Sequence, residues 1–337
     1  MRMIIDGRML DRNIFASGCS RYISEMLQAI QKNESGIEIC FLERSFSRGE
    51  INPDVLLTIG GIPSRLIGKL HVPSLLWLPG MEEKDFSKKR YFQRFRRKLP
   101  GVYKRAKYIL VDSEKNKNNL LRQDSPPHSE IIVIPHVGDE NCYPSPLVEK
   151  ERLKMQYAGG KDYFLVVQTD SLILHGIELL KAFSQFKKRQ GSGMQLVIAV
   201  KSGKTDRKFL KELDSFKYRK EVHIYNKLDE PELKKIISSA YILLQTVEDM
   251  DMTLNAFRMA VPVLLNGKNE QNEAAGAVLK TRFDNYSELA EQLSLLYTNE
   301  YFRNEWIEKG RAIATKSNRE NQVKQFWSAV RIATERN

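Results

Sequence analysis

The chain has 337 residues, of which 42% are hydrophobic and 28% are charged. This length and composition exclude a disordered or fibrous chain and favour two globular domains. The formal net charge of +12 predicts a partner with negative charge, which composition leaves open among nucleic acid, anionic lipid and an acidic protein. The three cysteines lie far apart without a histidine cluster, so neither a disulfide framework nor a zinc site is supported.

No apolar stretch reaches the roughly 20 residues that a membrane-spanning helix needs. The opening, MRMIIDGRML, lacks the apolar core of a signal peptide. We therefore expect a cytoplasmic protein, peripheral at the inner face of the membrane if its anionic partner is lipid.

Short apolar runs alternate with amphipathic stretches of helical periodicity along the whole chain. The predicted strands are Met3–Ile5, Ile37–Leu42, Val55–Ile59, Ser74–Leu78, Tyr108–Val111, Ile131–Ile134, Tyr163–Val167, Gln195–Val200, Val222–Tyr225, Tyr241–Gln245 and Val261–Leu265. The predicted helices include Arg21–Gln31, Lys115–Arg122, Lys150–Tyr157, Ile177–Lys188, Glu230–Ala240 and Tyr286–Tyr297. Strands that are apolar on both faces and joined by crossover helices indicate doubly wound parallel α/β sheets.

A turn-rich segment near residues 136–158 interrupts this alternation and predicts a division into two domains. We expect an N-terminal Rossmann-like domain over residues 1–150, on the acceptor or membrane side, and a C-terminal one over residues 151–315. The last predicted helix, Arg319–Thr334, carries an apolar stripe at helical spacing. Because such a stripe needs a docking surface, residues 316–337 are predicted to pack back on the N-terminal domain.

Several segments, in order along the chain, resemble those of family 4 glycosyltransferases. In the first half they are IDGRML, SGCSRYISEML, ILVDSEKNKNNL and IIVIPHVGDENCYP; in the second half they are YFLVVQTDSLILHGIELLKAF, VHIYNKLDEPELKKIISSAYILLQ, FRMAVPVLLNG and NEAAGAV. The resemblance implies a GT-B fold, in which two doubly wound Rossmann-like domains face a cleft and a C-terminal helix returns to the first domain. It also implies hexosyl transfer from a UDP- or GDP-linked sugar, with no cofactor and no metal.

In that family an Arg-Lys pair early in the second domain binds the leaving diphosphate, which needs positive charge or aligned N–H groups. Counting back from Ala182-Phe183 without a gap, the pair falls on Ile173 and Leu174. Aliphatic side chains cannot stabilise a diphosphate. A lysine of the neighbouring AVKSGK loop, Lys201 or Lys204, can substitute because it is long and flexible; a solvated loop charge is the alternative.

Two glutamates eight residues apart hold the donor in the family. Here the second position is Asn255, at the start of a helix predicted over Leu254–Met259, and Glu248 is the nearest candidate for the first, one residue out of register. Asn255 can hydrogen-bond a ribose hydroxyl or cap that helix, and both interpretations remain open. The acids around Glu248 are interpreted as a solvated loop rather than a metal site.

The predicted first domain also lacks residues that bind the donor or acceptor in the family. Its glycine loop keeps Gly18 but has Ser20 in place of the second glycine. Where the family has a histidine after the fourth strand, the chain has Leu78, which cannot bind a sugar hydroxyl. Departures at four separate places predict a changed function, and the catalytic residues stay unknown.

Residues 88–107 form a basic segment without an acid. Its ten cations are Lys88, Lys89, Arg90, Arg94, Arg96, Arg97, Lys98, Lys104, Arg105 and Lys107. Interleaved aromatic residues at helical spacing predict a basic amphipathic helix on an anionic membrane or partner surface; packing of those aromatics on the first sheet is the alternative. No helix-turn-helix, RRM, KH or zinc pattern accompanies the charge, which disfavours nucleic acid.

The leading hypothesis is a glycosyltransferase-like protein of bacterial surface-polysaccharide or glycoconjugate assembly. It would be weakly active or inactive and serve an active glycosyltransferase as partner or scaffold. One alternative is an active retaining glycosyltransferase that moves a sugar to a saccharide or lipid-linked acceptor through a rearranged donor site. The other is a nucleic-acid-binding protein on a GT-B scaffold. Sugar, acceptor, pathway and oligomeric state are left open.

Overall fold

A computed structural model of the chain describes residues 1–6, 17–33, 36–41, 53–60, 72–78, 106–122, 126–168, 174–201, 205–267 and 276–335. The chain divides into two compact units. The first consists of Met1–His136 together with Asn318–Asn337, and the second of Val137–Ser317.

The first unit contains a parallel sheet of six strands. They are β1 (Arg2–Asp6), β2 (Glu38–Phe41), β3 (Val55–Ile59), β4 (Ser74–Leu78), β5 (Tyr108–Val111) and β6 (Glu130–Val133). Their order is β2-β1-β3-β4-β5-β6. Helices α1 (Ser17–Asn33) and α2 (Glu114–Leu121) belong to the same unit. Strands β3 and β5 are buried along their whole length, as expected of parallel strands covered on both faces.

The second unit also contains a parallel six-stranded sheet. Its strands are β7 (Tyr163–Gln168), β8 (Gln195–Val200), β9 (Val222–Asn226), β10 (Ile242–Gln245), β11 (Val263–Asn266) and β12 (Leu279–Thr281). Its helices are α3 (Leu147–Ala158), α4 (Gly176–Gln190), α5 (Arg207–Asp214), α6 (Glu230–Ser238), α7 (Met250–Arg258), α8 (Tyr286–Thr298) and α9 (Glu300–Lys316). The strand order is β9-β8-β7-β10-β11-β12, so the chain moves outward in both directions from β7 and β10.

Local sequence signals set many helix ends in the second unit. Asp229 and Glu232 form a capping box at the start of α6, in which each side chain accepts from the other residue's N–H group. Helices α3 and α4 end at Gly159 and Gly191, which adopt φ of 58° and 57°. These signals explain why most helices lie where periodicity predicts them.

The last helix, α10 (Arg319–Glu335), completes the core of the first unit. Its stripe of Val323, Phe326, Trp327 and Val330 is buried in one cluster with residues of β1, α1, β3 and β4. Burial of such a side chain stabilises by about 2 kcal/mol. Lys107 donates from Nζ to the carbonyl of Ala333 at 2.7 Å, so this cation of the basic segment binds the end of α10. The prediction that this helix returns to the first domain is confirmed.

Two parallel sheets with interleaved helices confirm the predicted fold class. Strand β12 and helices α5 and α9 were missed, and α7 begins four residues before its predicted start. Among the described residues, no helix is long and apolar enough to span a bilayer. Residues 88–105 of the basic segment lie outside the described residues.

Candidate functional site

The carboxyl edge of the second sheet is the part of this unit best suited to bind a ligand. Strands β7 and β10 are neighbours, with Val167 opposite Gln245, and the chain leaves them toward opposite sides of the sheet. In open α/β sheets the crevice beyond such a pair of strands is the usual ligand site. Polar residues end the strands here: Gln168 on β7, Gln245 on β10 and Asn266 on β11.

One group of side chains, the edge cluster, consists of Gln168, His175, Thr246 and Asn266. The Gln168 amide donates to Thr246 Oγ1 at 2.9 Å, and both residues are buried. Asn266 Nδ2 donates to the Thr246 carbonyl at 3.3 Å and lies 3.3 Å from His175 Nε2. Asn266 and His175 are partly exposed. They are therefore the members of the edge cluster that a ligand can reach.

Gln245 and Thr253 form a second polar group on the α7 side of the sheet. Both are buried, and Thr253 Oγ1 lies 2.9 Å from Gln245 Oε1 and 2.9 Å from the carbonyl of Asp249. The Gln245 amide donates to the same carbonyl at 3.2 Å. Because these groups satisfy one another internally, they hold the start of α7 against β10 and are not offered to a ligand.

Helix α4 begins at this edge, directly after β7 and a segment that lies outside the described residues. Its N-cap is His175, whose φ of 55° is left-handed and whose side chain makes no capping hydrogen bond. Leu174, at the second position predicted for the family's basic pair, is 37% exposed beside this helix end. The α4 N-terminus carries partial positive charge, but an exposed leucine stands where a cation is expected. Ile173 lies outside the described residues.

Lys201 is one of the two lysines that were predicted as substitutes for the family's basic pair. It follows β8, and its N–H donates to the Gln168 carbonyl at 2.9 Å, which places its backbone at the same edge. Its ammonium nitrogen lies 3.5 Å from Glu230 Oε1, and this carboxylate offsets the positive charge. Lys204 lies outside the described residues.

The structure gives Asn255 a contact that was not predicted and contradicts one of its two predicted roles. Helix α7 begins at Met250, where the Asp249 side chain accepts from Met252 N at 3.0 Å and forms the cap. The interpretation of Asn255 as the helix cap is therefore wrong, because the true cap was hidden in the acidic run before it. Asn255 is buried, and its Oδ1 accepts from Asp139 N at 2.7 Å. Glu248 lies half-buried in the loop before α7.

Helix α7 holds both ends of the second unit through Arg258. The guanidinium donates to the carbonyl of Val137 at 2.8 Å and to that of Ser317 at 2.6 Å. These are the first and last residues of the unit. Near the first of them, Gly138 N donates to Asp251 Oδ1 at 3.3 Å, and Asp139 forms an ion pair with Lys234. Helix α7, which starts at the carboxyl edge of the second sheet, is thus hydrogen-bonded to the first and last residues of the unit.

Of the sites predicted in the first unit, the two positions of the glycine loop are placed differently from expectation, whereas Leu78 ends its strand as predicted. Gly18 and Ser20 lie in the first turn of α1 rather than in a loop. Leu78 ends β4 and is buried in a cluster with Ile109 and Val111. At the carboxyl edge of this sheet, sequence reasoning missed Asp112, whose Oδ2 lies 3.3 Å from His136 Nε2.

The signal for that pair was position: Asp112 directly follows the predicted strand Tyr108–Val111, and His136 lies two residues after the predicted strand Ile131–Ile134. The His136 ring also packs on Tyr22, with ring centroids 4.4 Å apart. In the described part of the chain, no three His, Cys, Asp or Glu side chains gather in a way that could hold a metal ion.

No family profile matches the chain, and no curated protein matches it in sequence. Its fold matches solved structures over nearly the whole length. A sucrose-phosphate synthase from Thermosynechococcus elongatus has a TM-score of 0.72 at 11% identity over 98% of both chains. WaaG, a glycosyltransferase involved in lipopolysaccharide biosynthesis, has a TM-score of 0.65 at 13% identity over 99% of this chain and 100% of that chain.

A putative UDP-N-acetylglucosamine 2-epimerase from Listeria monocytogenes has a TM-score of 0.61 at 16% identity, over 100% of this chain and 97% of that chain. At such low identities the likeness shows the fold, and the chain has the GT-B fold. Since one fold here serves two transferases and a putative epimerase, the reaction has to be argued from the site.

Proposed function

We propose that the chain is a glycosyltransferase-like protein, a degenerate relative of family 4, with weak or no transferase activity. It acts as partner or scaffold of an active glycosyltransferase in surface-polysaccharide or glycoconjugate assembly, on the cytoplasmic face of the membrane. One observation carries the proposal. At the edge of the second sheet, the reachable side chains of the edge cluster are the amide of Asn266 and the imidazole of His175, and exposed Leu174 stands beside α4.

The chemistry of transfer explains why this edge is a poor donor site. A nucleotide sugar leaves behind a nucleoside diphosphate, and the developing charge must be met by fixed cations or N–H groups. Loss of one such donor typically lowers the rate by about 10²–10³-fold. The N-terminus of α4 still offers aligned amides, which bind phosphate without a side-chain cation. We therefore expect weak nucleotide binding with little turnover.

A thermal-shift series with UDP, GDP and their sugars, run beside an assay for released nucleoside diphosphate, tests the proposal. A ligand at 100 times its Kd stabilises by about 2.7 kcal/mol, so even weak binding becomes visible at millimolar nucleotide. We expect a small shift with the diphosphates and no steady release. Release at about 1 s⁻¹ or faster, the ordinary range of enzymes, would overturn the proposal.

A gain-of-charge variant tests the same idea from the other side. Leu174→Lys returns a cation to the α4 N-terminus, and a charge-assisted hydrogen bond should tighten diphosphate binding about 10- to 100-fold. Leu210→Lys on α5 is the matched control, because Leu210 has the same 37% exposure and the charge change is identical. Equal gains in the two variants would mean that net charge, not the site, sets the affinity.

The second candidate is an active transferase in which Lys201 serves the diphosphate. It is favoured by the bond between Lys201 N and the Gln168 carbonyl, which places the lysine at the ligand edge. Lys201→Met would then abolish both nucleotide binding and release. Glu230→Gln would increase both, because the ammonium loses the carboxylate at 3.5 Å. Unchanged behaviour of both variants would exclude this candidate.

A further inference from the structure

A groove of about 710 Å³ in the second unit shares no residue with the edge cluster. Its floor is one face of α4, along which Lys181 and Lys188 are exposed and Ile177 and Ser184 are partly exposed, at helical spacing. Its other walls are the start of α8 and residues 212–217, at and after the end of α5. From Ile177 to Lys188 the helix advances about 16 Å, so the groove suits an extended ligand rather than a compact one.

The groove carries positive charge that is not offset by ion pairs with the described residues. Lys181, Lys188 and Lys217 line it, with Glu212 as the single acid among its described lining residues. None of the three lysines forms an ion pair with a residue that the structure describes. Surface cations that are left without carboxylates along one groove favour an anionic ligand.

The spacing of the lysines along the groove favours a polyanion over a single phosphate. Lys181 and Lys188 are seven residues apart on α4, which places them about 10 Å apart along the axis. Cations spaced in this way along a helix suit the separate acid groups of an extended polyanion, and the spacing of their backbone positions is comparable with one disaccharide. The start of α8, the other backbone donor nearby, is already capped by Asn285, whose side chain accepts from Glu288 N at 3.3 Å.

The uncharged lining fits a carbohydrate. Tyr286 is 45% exposed, and the Lys181 ammonium lies 5.7 Å from its ring centroid. An exposed aromatic ring offers a face for the C–H side of a pyranose, while the hydroxyls of Ser184, Ser215 and Ser287 can bond its O–H groups. One groove therefore holds lysines for the carboxylates of an acidic sugar, an aromatic ring for its apolar face and hydroxyls for its O–H groups.

We propose that this groove binds an acidic oligosaccharide lying along α4, with a carboxylate on about every second sugar. The site stands on its own lining and goes beyond the proposed function, because it requires neither a nucleotide nor turnover. It would let the protein bind the growing oligosaccharide at a place separate from the carboxyl edge of the second sheet.

Binding of a hyaluronan hexasaccharide, which carries one carboxylate per disaccharide, tests the proposal by calorimetry at low salt. We expect binding that weakens as salt rises and that exceeds binding of maltohexaose, its neutral counterpart. Hexaglutamate tests charge without sugar. Equal affinity for hexaglutamate, equal affinity for maltohexaose, or no binding of the hyaluronan fragment would each overturn the proposal.

Variants locate the binding. Lys181→Gln with Lys188→Gln should weaken the hexasaccharide about tenfold, since two exposed ion pairs contribute up to about a factor of five each. Lys161→Gln with Lys235→Gln removes the same charge from exposed sites outside the groove and should leave affinity unchanged. Tyr286→Leu should weaken the hexasaccharide but not hexaglutamate. Equal effects of the two double variants would place the binding elsewhere.

Failure of the groove proposal can be told apart from failure of the proposed function by adding UDP to the binding assay. Saturating UDP should not displace the hexasaccharide, because the edge cluster and the groove share no residue. Displacement by UDP would show that the two ligands compete for one site and would overturn a separate groove site. Unchanged melting temperatures of the lysine variants establish that any loss of affinity is not unfolding.

Discussion

Gly138→Ala is the most direct test of how the start of the second unit packs on α7. Gly138 has a φ of 70°, and an added Cβ would lie 2.7 Å from Asn255 Oδ1 and 3.0 Å from Leu254 Cβ. The same Asn255 oxygen accepts the hydrogen bond from Asp139 N at 2.7 Å. A methyl group at this position therefore collides with the acceptor that fixes the next residue.

The expected loss in the free energy of unfolding of Gly138→Ala has three parts. The left-handed backbone costs an alanine about 1 kcal/mol. Displacement of the Asn255 side chain loses a hydrogen bond of about 1 kcal/mol. Forcing a methyl group into occupied space costs about 1–3 kcal/mol. The sum is about 3–5 kcal/mol, which corresponds to a fall of roughly 10–15 °C in the melting temperature of a unit of this size.

Thermal denaturation of two variants separates these parts. Gly159→Ala is the matched control, because Gly159 has a φ of 58° but no atom within 4 Å of the added Cβ. It should lose only about 1 kcal/mol, from the backbone alone. If Gly138→Ala and Gly159→Ala melt within 1–2 °C of each other, the segment after residue 136 does not pack on α7, and the reasoning is refuted.

Three further perturbations follow from single contacts. Arg258→Leu removes two charged hydrogen bonds to the ends of the second unit, and denaturation should show a loss of about 3 kcal/mol; a loss below about 1 kcal/mol contradicts this. Burial and the nearby charge of Arg219 lower the pKa of His223. The neutral imidazole therefore contributes its full stability above about pH 6.5, and this contribution is lost as pH falls through the folded-state pKa. His223→Gln should therefore flatten the fall in melting temperature below that pH, and an unchanged slope contradicts it. Gly310→Ala places a Cβ 2.5 Å from the Phe257 ring; overpacking of about 1–3 kcal/mol should exceed the helix-propensity gain of about 1 kcal/mol, so a higher melting temperature would contradict it.

Asn255 shows where inference from a local pattern fails. Its position in the chain matched a family glutamate, and it was predicted to bond a ribose hydroxyl or to cap the helix; the cap is Asp249 instead. In the structure its partner is the backbone of Asp139, 116 residues away. The start of α7 was misplaced for a related reason, since several acids precede the helix and only the folded chain shows that Asp249 is its cap.

The count that assigns Leu174 to a position of the family's basic pair needed no long-range contact. It spans the start of α4, and Leu174 directly precedes His175, the N-cap of that helix. What the count missed is that Lys201, the candidate replacement, lies near Glu230. That contact joins residues on two different crossovers and leaves no trace in local spacing.

The amino-acid sequence by itself determined the alternation of strands and helices, most helix ends and hence the doubly wound fold, because these depend on periodicity and capping within a few residues. Only the tertiary structure decided which polar groups satisfy one another at the sheet edge, that Arg258 binds carbonyls 121 and 59 residues away, and that Gly310 must be small beside Phe257. It also brought Lys181, Lys188 and Lys217 to one groove. Such contacts depend on which surfaces meet after the sheets are covered, and residues distant in the chain carry no local pattern for that meeting.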